Sequence, residues 1–230
     1  MTPGLALFVK TPGRSPVKSR LWPAIGREAA EALYLDCAAA SAEIAVALQR
    51  EARLHAYWAV AEEETPSDAA CPWRGLPRLY QGEGGLGERM ATVYAALRER
   101  HGAALLMGTD VPQIGADTLR QAVDSLSESE GVDVVLGPSD DGGFWLVGGR
   151  IDLPLGIWMA PRYSTSHACE DFVAALPLGT RIGWLAKARD LDEAQDIAAV
   201  AEALAALRHP TAAQSRVLRR LNTLRATMRP

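Results

Sequence analysis

Short apolar runs recur along the chain, and the segments between most of them carry helical periodicity; this alternation restricts the fold more than any other feature. Leu5–Val9, Leu54–Val60, Ala103–Gly108, Val132–Leu136 and Arg181–Leu185 read as strands. Helical patterns occupy about Gly26–Arg50, Leu86–Arg100, Ala116–Leu126 and Asp192–Leu207. In the first of these, Leu33, Cys37, Ala40, Ile44 and Leu48 recur every three or four residues, predicting one apolar stripe on one side. Apolar strands separated by amphipathic helices build a sheet covered on both faces. Right-handed crossovers then favour a doubly wound α/β fold over a helical bundle. Phe144–Val147, just after Gly142-Gly143, reads as a hairpin partner or nearby strand, so the expected sheet is mixed but mainly parallel. The segment from Gly142 to Thr165, rich in glycine, proline and aromatics, reads as an inserted active-site flap. The acidic run Glu62–Asp68 reads as a solvated loop. No linker divides the chain, and 230 residues suit one α/β domain. The main domain is expected over 1–207, with a basic C-terminal helix or tail over 208–230.

Composition narrows the class further. With 48% apolar and 23% charged residues and a net charge of -4, the chain is expected to fold as a soluble globular protein. No apolar run approaches the roughly 20 residues of a membrane span, and the N-terminus lacks a secretory pattern; a cytoplasmic location is expected. Three scattered cysteines, Cys37, Cys71 and Cys169, make neither a disulfide framework nor a zinc site. The mild acidity does not suggest a nucleic-acid protein. From Arg208 onward, however, Arg216, Arg219, Arg220, Arg225 and Arg229 occur without an acidic residue. This stretch reads as a solvated helix or tail, with a nucleic-acid or membrane footprint as the alternative.

Candidate chemistry collects at strand ends. Asp110 follows an apolar strand and opens a turn containing Pro112; open parallel sheets place ligands beyond the carboxyl ends of their strands. A carboxylate there can hold a divalent cation that neutralises phosphate charge, or it can cap a turn. Asp140-Asp141-Gly142-Gly143 follows a second strand, and its paired carboxylates would favour a shared metal, a basic partner or a substrate. Asp190, Asp192 and Asp196 follow a third; Asp192 is a metal candidate, whereas Asp196 can stabilise the next helix's first turn. Lys10, Arg14, Lys18 and Arg20 interleave with Thr11, Pro12, Gly13 and Pro16 after the first strand, a basic loop able to cradle phosphates. Gly84–Met90, containing Gly87 and Arg89, adds a nucleotide-facing loop whose helix start offers unpaired donors. Met90 and Cys37 read as core. Of four histidines, only His167, beside Thr165, falls in the expected flap.

Taken in order, these segments resemble the DUF2064 family, uncharacterised bacterial transferases grouped with glycosyltransferase-A-like proteins and nucleotide-diphospho-sugar transferases. The resemblance runs through about Leu207 and is carried by Phe8–Gly13 with Val17–Leu21, Gly84–Met90, Gly108–Pro112, Asp141–Gly148 and Asp190–Asp196. Gly85 stands where the family pattern has Asp, Ser19 replaces Thr, and Glu193-Ala194 replaces Thr-Pro. The resemblance implies a glycosyltransferase-A-like, Rossmann-related sandwich and a metal-dependent nucleotide-utilising transferase. On that analogy a nucleoside triphosphate lies across Lys10, Thr11, Pro12, Gly13, Lys18 and Arg20, with Gly87 and Arg89 contributing. Asp110 and Asp192 hold magnesium, or manganese. Lys18, Asp110 and Asp141 carry catalysis, while Asp141, Gly142, Gly143, Phe144 and Thr165 receive a small phosphorylated acceptor. That acceptor attacks the α-phosphorus and releases pyrophosphate, with Phe144 and Trp145 restricting water. Glycosyl transfer from a nucleotide-sugar donor, and nucleotide binding without catalysis, are the alternatives.

Overall fold

The computed structural model describes residues 2–63, 71–127 and 131–227. The acidic loop expected over 62–68 therefore lies outside the described residues from Glu64 onward, as does Arg229. Strand β1 (Gly4–Val9) is followed by α1 (Trp22–Ile25), α2 (Arg27–Arg50), β2 (His55–Val60), β3 (Arg78–Tyr80) and α3 (Leu86–His101). Next come β4 (Ala104–Gly108), α4 (Ala116–Ser127), β5 (Val134–Pro138), β6 (Phe144–Gly149), α5 (Leu155–Met159) and α6 (Ala168–Ala175). The chain closes with β7 (Ile182–Trp184), α7 (Asp196–Ala205) and α8 (Ala212–Thr227).

The sheet order is β3-β2-β1-β4-β6-β5-β7. β1 lies parallel between β2 and β4, β5 pairs parallel with β7, and β6 runs antiparallel to both β4 and β5. This is the mixed, mainly parallel sheet flanked by helices that the alternation predicts. The β5–β6 turn therefore opens on the same edge as the carboxyl ends of β1, β4 and β7. Strand alternation sorts the core: Leu5, Leu7 and Val9 face α2 and α4, while Ala6 meets Val93, Tyr94 and Leu97 of α3 on the other side.

Several expectations are corrected. The stripe on α2 is divided: Ile44 and Leu48 pack on the sheet, whereas Leu33, Cys37 and Ala40 pack against α7 and α8. A 24-residue helix extends past the sheet, and the C-terminal helices cover its other apolar face. The flap expected over Gly142–Thr165 is in part a central strand, β6. Trp145 is 2% exposed, and its indole Nε1 donates to the carbonyl of Ala186 at 3.2 Å, so it is core and cannot close over a ligand. The helix expected from Asp192 starts at Asp196, whose carboxylate Oδ2 accepts from the backbone N–H of Asp192 at 3.1 Å and of Glu193 at 2.8 Å. Those bonds hold 192–195 as a loop. On α8, Arg220 pairs with Asp36 at 2.8 Å, and Arg216 lies 3.6 Å from Asp36 and 3.7 Å from Glu43.

Candidate active site

Asp110 stands where β4 ends, and the loop carrying Asp192 is tied to it through the backbone: Leu191 N–H donates to the Asp110 carbonyl at 2.9 Å. Lys18 enters between their side chains. Its Nζ lies 2.5 Å from Asp110 Oδ1 and 3.0 Å from Asp192 Oδ1; its side chain is 2% exposed, against 40% for each carboxylate. The lysine backbone is left-handed, φ 48° and ψ 35°, a conformation that costs a residue with a Cβ on the order of 1 kcal/mol or more. The following turn, Ser19–Leu21, fixes it, with Leu21 N–H donating to the Lys18 carbonyl at 2.9 Å. Burial alone would lower the Lys18 pKa, but the Asp110 and Asp192 charges outweigh it and hold the ammonium above its ordinary value.

These groups open on a cavity of about 400 Å³. Of the residues the sequence names, the structure brings Lys10, Lys18, Asp110, Asp141, Gly143, Phe144, Thr165 and Asp192 to its wall, together with Met90, Trp145 and Asp190. Asp141 Oδ1 accepts from Gly143 N–H at 2.9 Å, which orients the carboxylate at the β5–β6 turn. Gly142 supports this turn from behind: its φ is 88°, and an added Cβ would stand 2.1 Å from the Ser166 carbonyl oxygen.

Other candidates lie elsewhere. Thr11, Pro12 and Gly13 are outside the wall. Thr11 N–H donates to Glu62 Oε2 at 2.8 Å and its Oγ1 accepts from Trp73 Nε1 at 3.0 Å, so that loop is tied to its own scaffold. Arg20 is 66% exposed and stands 4.0 Å from Asp192 Oδ2, beside the site on its solvent side. Gly87 packs beneath α5, where an added Cβ would meet the Trp158 carbonyl oxygen at 2.3 Å. Arg89 Nε donates to the Gly84 carbonyl at 3.0 Å, and Glu88 Oε2 accepts from Gly85 N–H at 2.7 Å. The start of α3 is thus capped by its own carboxylate and does not present the free donors expected there. The Asp140–Asp141 pair is split: Asp140 faces Arg189 at 3.0 Å and Lys187 at 3.6 Å, leaving Asp141 alone toward the cavity. His167 does not line the cavity.

The sequence reading named Asp190 in its third acidic cluster without giving it a role and did not single out Ser139 or Tyr34; all three are on the wall. Burial pushes the Asp190 carboxyl up to about 7; a Ser139 hydrogen bond opposes this, and the charges of Asp141, Asp110 and Asp192 add to it. Tyr34 accepts from Lys10 N–H at 2.8 Å, and burial followed by the Asp110 charge hold its phenol well above the usual range. Tyr34 comes from α2, and no strand-end logic points to it.

A divalent cation has two hard oxygen ligands to use here, Asp110 and Asp192. Asp110 Oδ1 is enclosed yet lacks an aligned hydrogen-bond donor, although the Lys18 ammonium touches it. Among the described residues no group of three or more histidine, cysteine or acidic side chains converges to hold a metal. The donor set fits an ion of the magnesium type, which takes one or two carboxylates and completes its shell with water and substrate phosphate.

A family model described as an uncharacterised protein conserved in bacteria, DUF2064, matches residues 35–165, more than half of the chain. No curated protein matches the sequence. Among solved structures, a provisionally assigned nucleotide-diphospho-sugar transferase from Desulfovibrio desulfuricans G20 is 20% identical, covers 99% of both chains and superposes with a TM-score of 0.82. CMP:2-keto-3-deoxy-manno-octonic acid synthetase complexed with CTP is 11% identical, with a TM-score of 0.50 over 87% of this chain and 97% of its own. Rv0371c of Mycobacterium tuberculosis H37Rv in complex with manganese is 15% identical, with a TM-score of 0.50 over 86% and 98%. These similarities bear out the glycosyltransferase-A-like, Rossmann-related fold.

Proposed function

The chain belongs to the DUF2064 family, and on that premise we propose that it is a metal-dependent, nucleotide-utilising transferase, with nucleotidyl transfer from a nucleoside triphosphate as its reaction. One observation carries this reading: a buried lysine ammonium held between two carboxylates at the strand ends, over a cavity of about 400 Å³. Lys18 and Lys10 bind donor phosphate oxygens, Lys18 as a fixed point charge and Lys10 from the rim. Asp110 and Asp192 hold magnesium or manganese, which when bound supplies Lewis-acid charge to the donor phosphates. Asp141 orients the acceptor from the β5–β6 turn. Catalysis then rests on positioning and on charge preorganised before the donor arrives. Solved relatives of the same fold, one with CTP and one with manganese, support both the donor class and the metal.

Glycosyl transfer from a nucleotide-sugar is the second reading. Asp141 on the cavity wall favours it, because positive charge developing on a sugar ring is stabilised by a carboxylate. The two are separated by incubating the protein with magnesium, a panel of triphosphates and nucleotide-sugars, and mixed acceptors, and weighing the products. Pyrophosphate from a triphosphate is the expected result. Nucleoside diphosphate from a nucleotide-sugar selects the second reading, and binding of nucleotides without turnover across the panel rejects both.

A further inference from the structure

We infer that the acceptor is an uncharged, hydroxyl-bearing molecule with an apolar face, and not the phosphorylated molecule that the family resemblance implies; the inference rests on the transferase reading above. The cavity is chemically lopsided. Its lysines, Lys10 and Lys18, belong to the donor side, and no other lysine or arginine is among its lining residues. Of the cations around it, Arg20 stands outside on the solvent side, 4.0 Å from Asp192 and from Glu193, and three more are engaged elsewhere. Arg162 is bound by Asp171 at 2.8 Å, and Arg189 and Lys187 face Asp140. An acceptor phosphate would bring negative charge toward the Asp141 carboxylate with no further lysine or arginine on the wall to meet it, and like charges at close range repel. An ion held by Asp110 and Asp192 would be met first by the donor phosphates, whose charge it would neutralise.

The chemistry of the nucleophile points the same way. A phosphate acceptor is already an anion and needs cations; a hydroxyl acceptor must lose a proton and needs a base. The site supplies the second requirement. Asp141 is held through Oδ1 by Gly143 N–H, and its Oδ2 accepts no hydrogen bond among the described residues. The acceptor oxygen forms a bond to the electrophilic atom of the donor. The bond from that atom to the leaving phosphate oxygen breaks, its electron pair going to the leaving group, and the hydroxyl proton passes to Asp141 Oδ2. Much of the remaining wall is apolar: Phe144 packs on Phe172 with ring centroids 5.5 Å apart, Leu86, Leu106 and Val147 line it as well, and the Tyr163 hydroxyl is spent on the Trp158 carbonyl at 2.7 Å. Such a wall suits the C–H face of a ring and does nothing for a phosphate.

Saturation-transfer NMR on the full chain tests this, with magnesium and a mixture of the four common nucleoside diphosphates present. Methyl pyranosides and pentoses are compared with the monophosphates of the same sugars. Signals are expected from the uncharged probes, with the monophosphates at least tenfold weaker in competition. In the Asp141→Asn, Asp190→Asn double variant that preference should shrink or reverse. Nucleotide signals are read in the same sample: if no nucleotide binds, the transferase reading itself falls. With nucleotide bound, monophosphates that match or exceed the uncharged probes overturn the inference, and so does silence from every uncharged probe.

Discussion

Lys18 combines two unfavourable features: a left-handed backbone, fixed by the turn at Ser19–Leu21, and a desolvated ammonium, offset by Asp110 and Asp192. Replacing it with methionine removes the charge but keeps the stem, so donor affinity is expected to fall at least tenfold in equilibrium dialysis. Lys18→Arg should not restore it, since a planar guanidinium fork cannot occupy a slot shaped around a point charge. Asp196 acts one step removed, through the two backbone N–H groups that it accepts around Asp192. Asp196→Ala should cost about 1–3 kcal/mol of stability, as loss of hydrogen bonds to a charged acceptor does. It should also raise the divalent concentration needed for half-maximal turnover, with activity recovering at saturating metal; a purely structural role would leave the metal requirement unmoved. Asp110, Asp192 and Lys18 were legible from sequence because each closes or follows a strand at one sheet edge. The role of Asp190 was not, because in a loop bearing Asp190, Asp192 and Asp196 only the backbone path decides which carboxylate turns inward and which ties down the loop. Gly87 and Arg89 misled for a related reason: glycine at a helix start serves close packing as readily as phosphate binding.

At the scale of elements, the short edge strand β7 depends on one carboxylate. Asp133 accepts from Arg181 N–H at 3.0 Å and from its guanidinium at 3.1 Å, and Arg150 lies 3.5 Å away. The Arg181 side-chain and backbone hydrogen bonds hold the Asp133 carboxyl down to about 2. A depressed carboxyl contributes stability above its unfolded pKa, near 3.9, and loses it as pH falls toward the folded value. Asp133→Asn is therefore expected to cost on the order of 1–2 kcal/mol at neutral pH. The gap from the unmodified protein should close between about pH 4 and pH 2 in chemical denaturation. The main strands and helices were readable from their apolar periodicity. β3 was not, since Arg-Leu-Tyr with two exposed side chains carries no strand signal and forms only by extending a sheet already present. The β5–β6 hairpin was half-read: its glycines suggested a flap, while the burial of Trp145 is set by neighbours far away in sequence.

For the molecule as a whole, α8 connects the C-terminus to the site. Ala213, Val217 and Leu221 are fully buried with α2 and α7, and Gln214, 1% exposed, donates through Nε2 to the carbonyls of Pro112 and Ile114 at 2.9 Å each. Those carbonyls lie in the turn that follows Asp110. We propose that 208–227 is part of the working fold, not a detachable tail. Deleting α8 should yield insoluble or molten protein, because burying each large apolar side chain is worth roughly 1.5–3 kcal/mol. Gln214→Ala should fold, lose about 1–3 kcal/mol in denaturation for its orphaned carbonyls, and lower kcat without changing donor Kd. The arrangement around Lys18 also bears on how the chain matures. Since the lysine already balances its acidic neighbours, the polypeptide reaches its final shape on its own, and treatment with a chelator should leave Tm unchanged while stopping turnover. A cell starved of divalent ions would then keep an idle stock of this protein ready for use, instead of losing it to degradation.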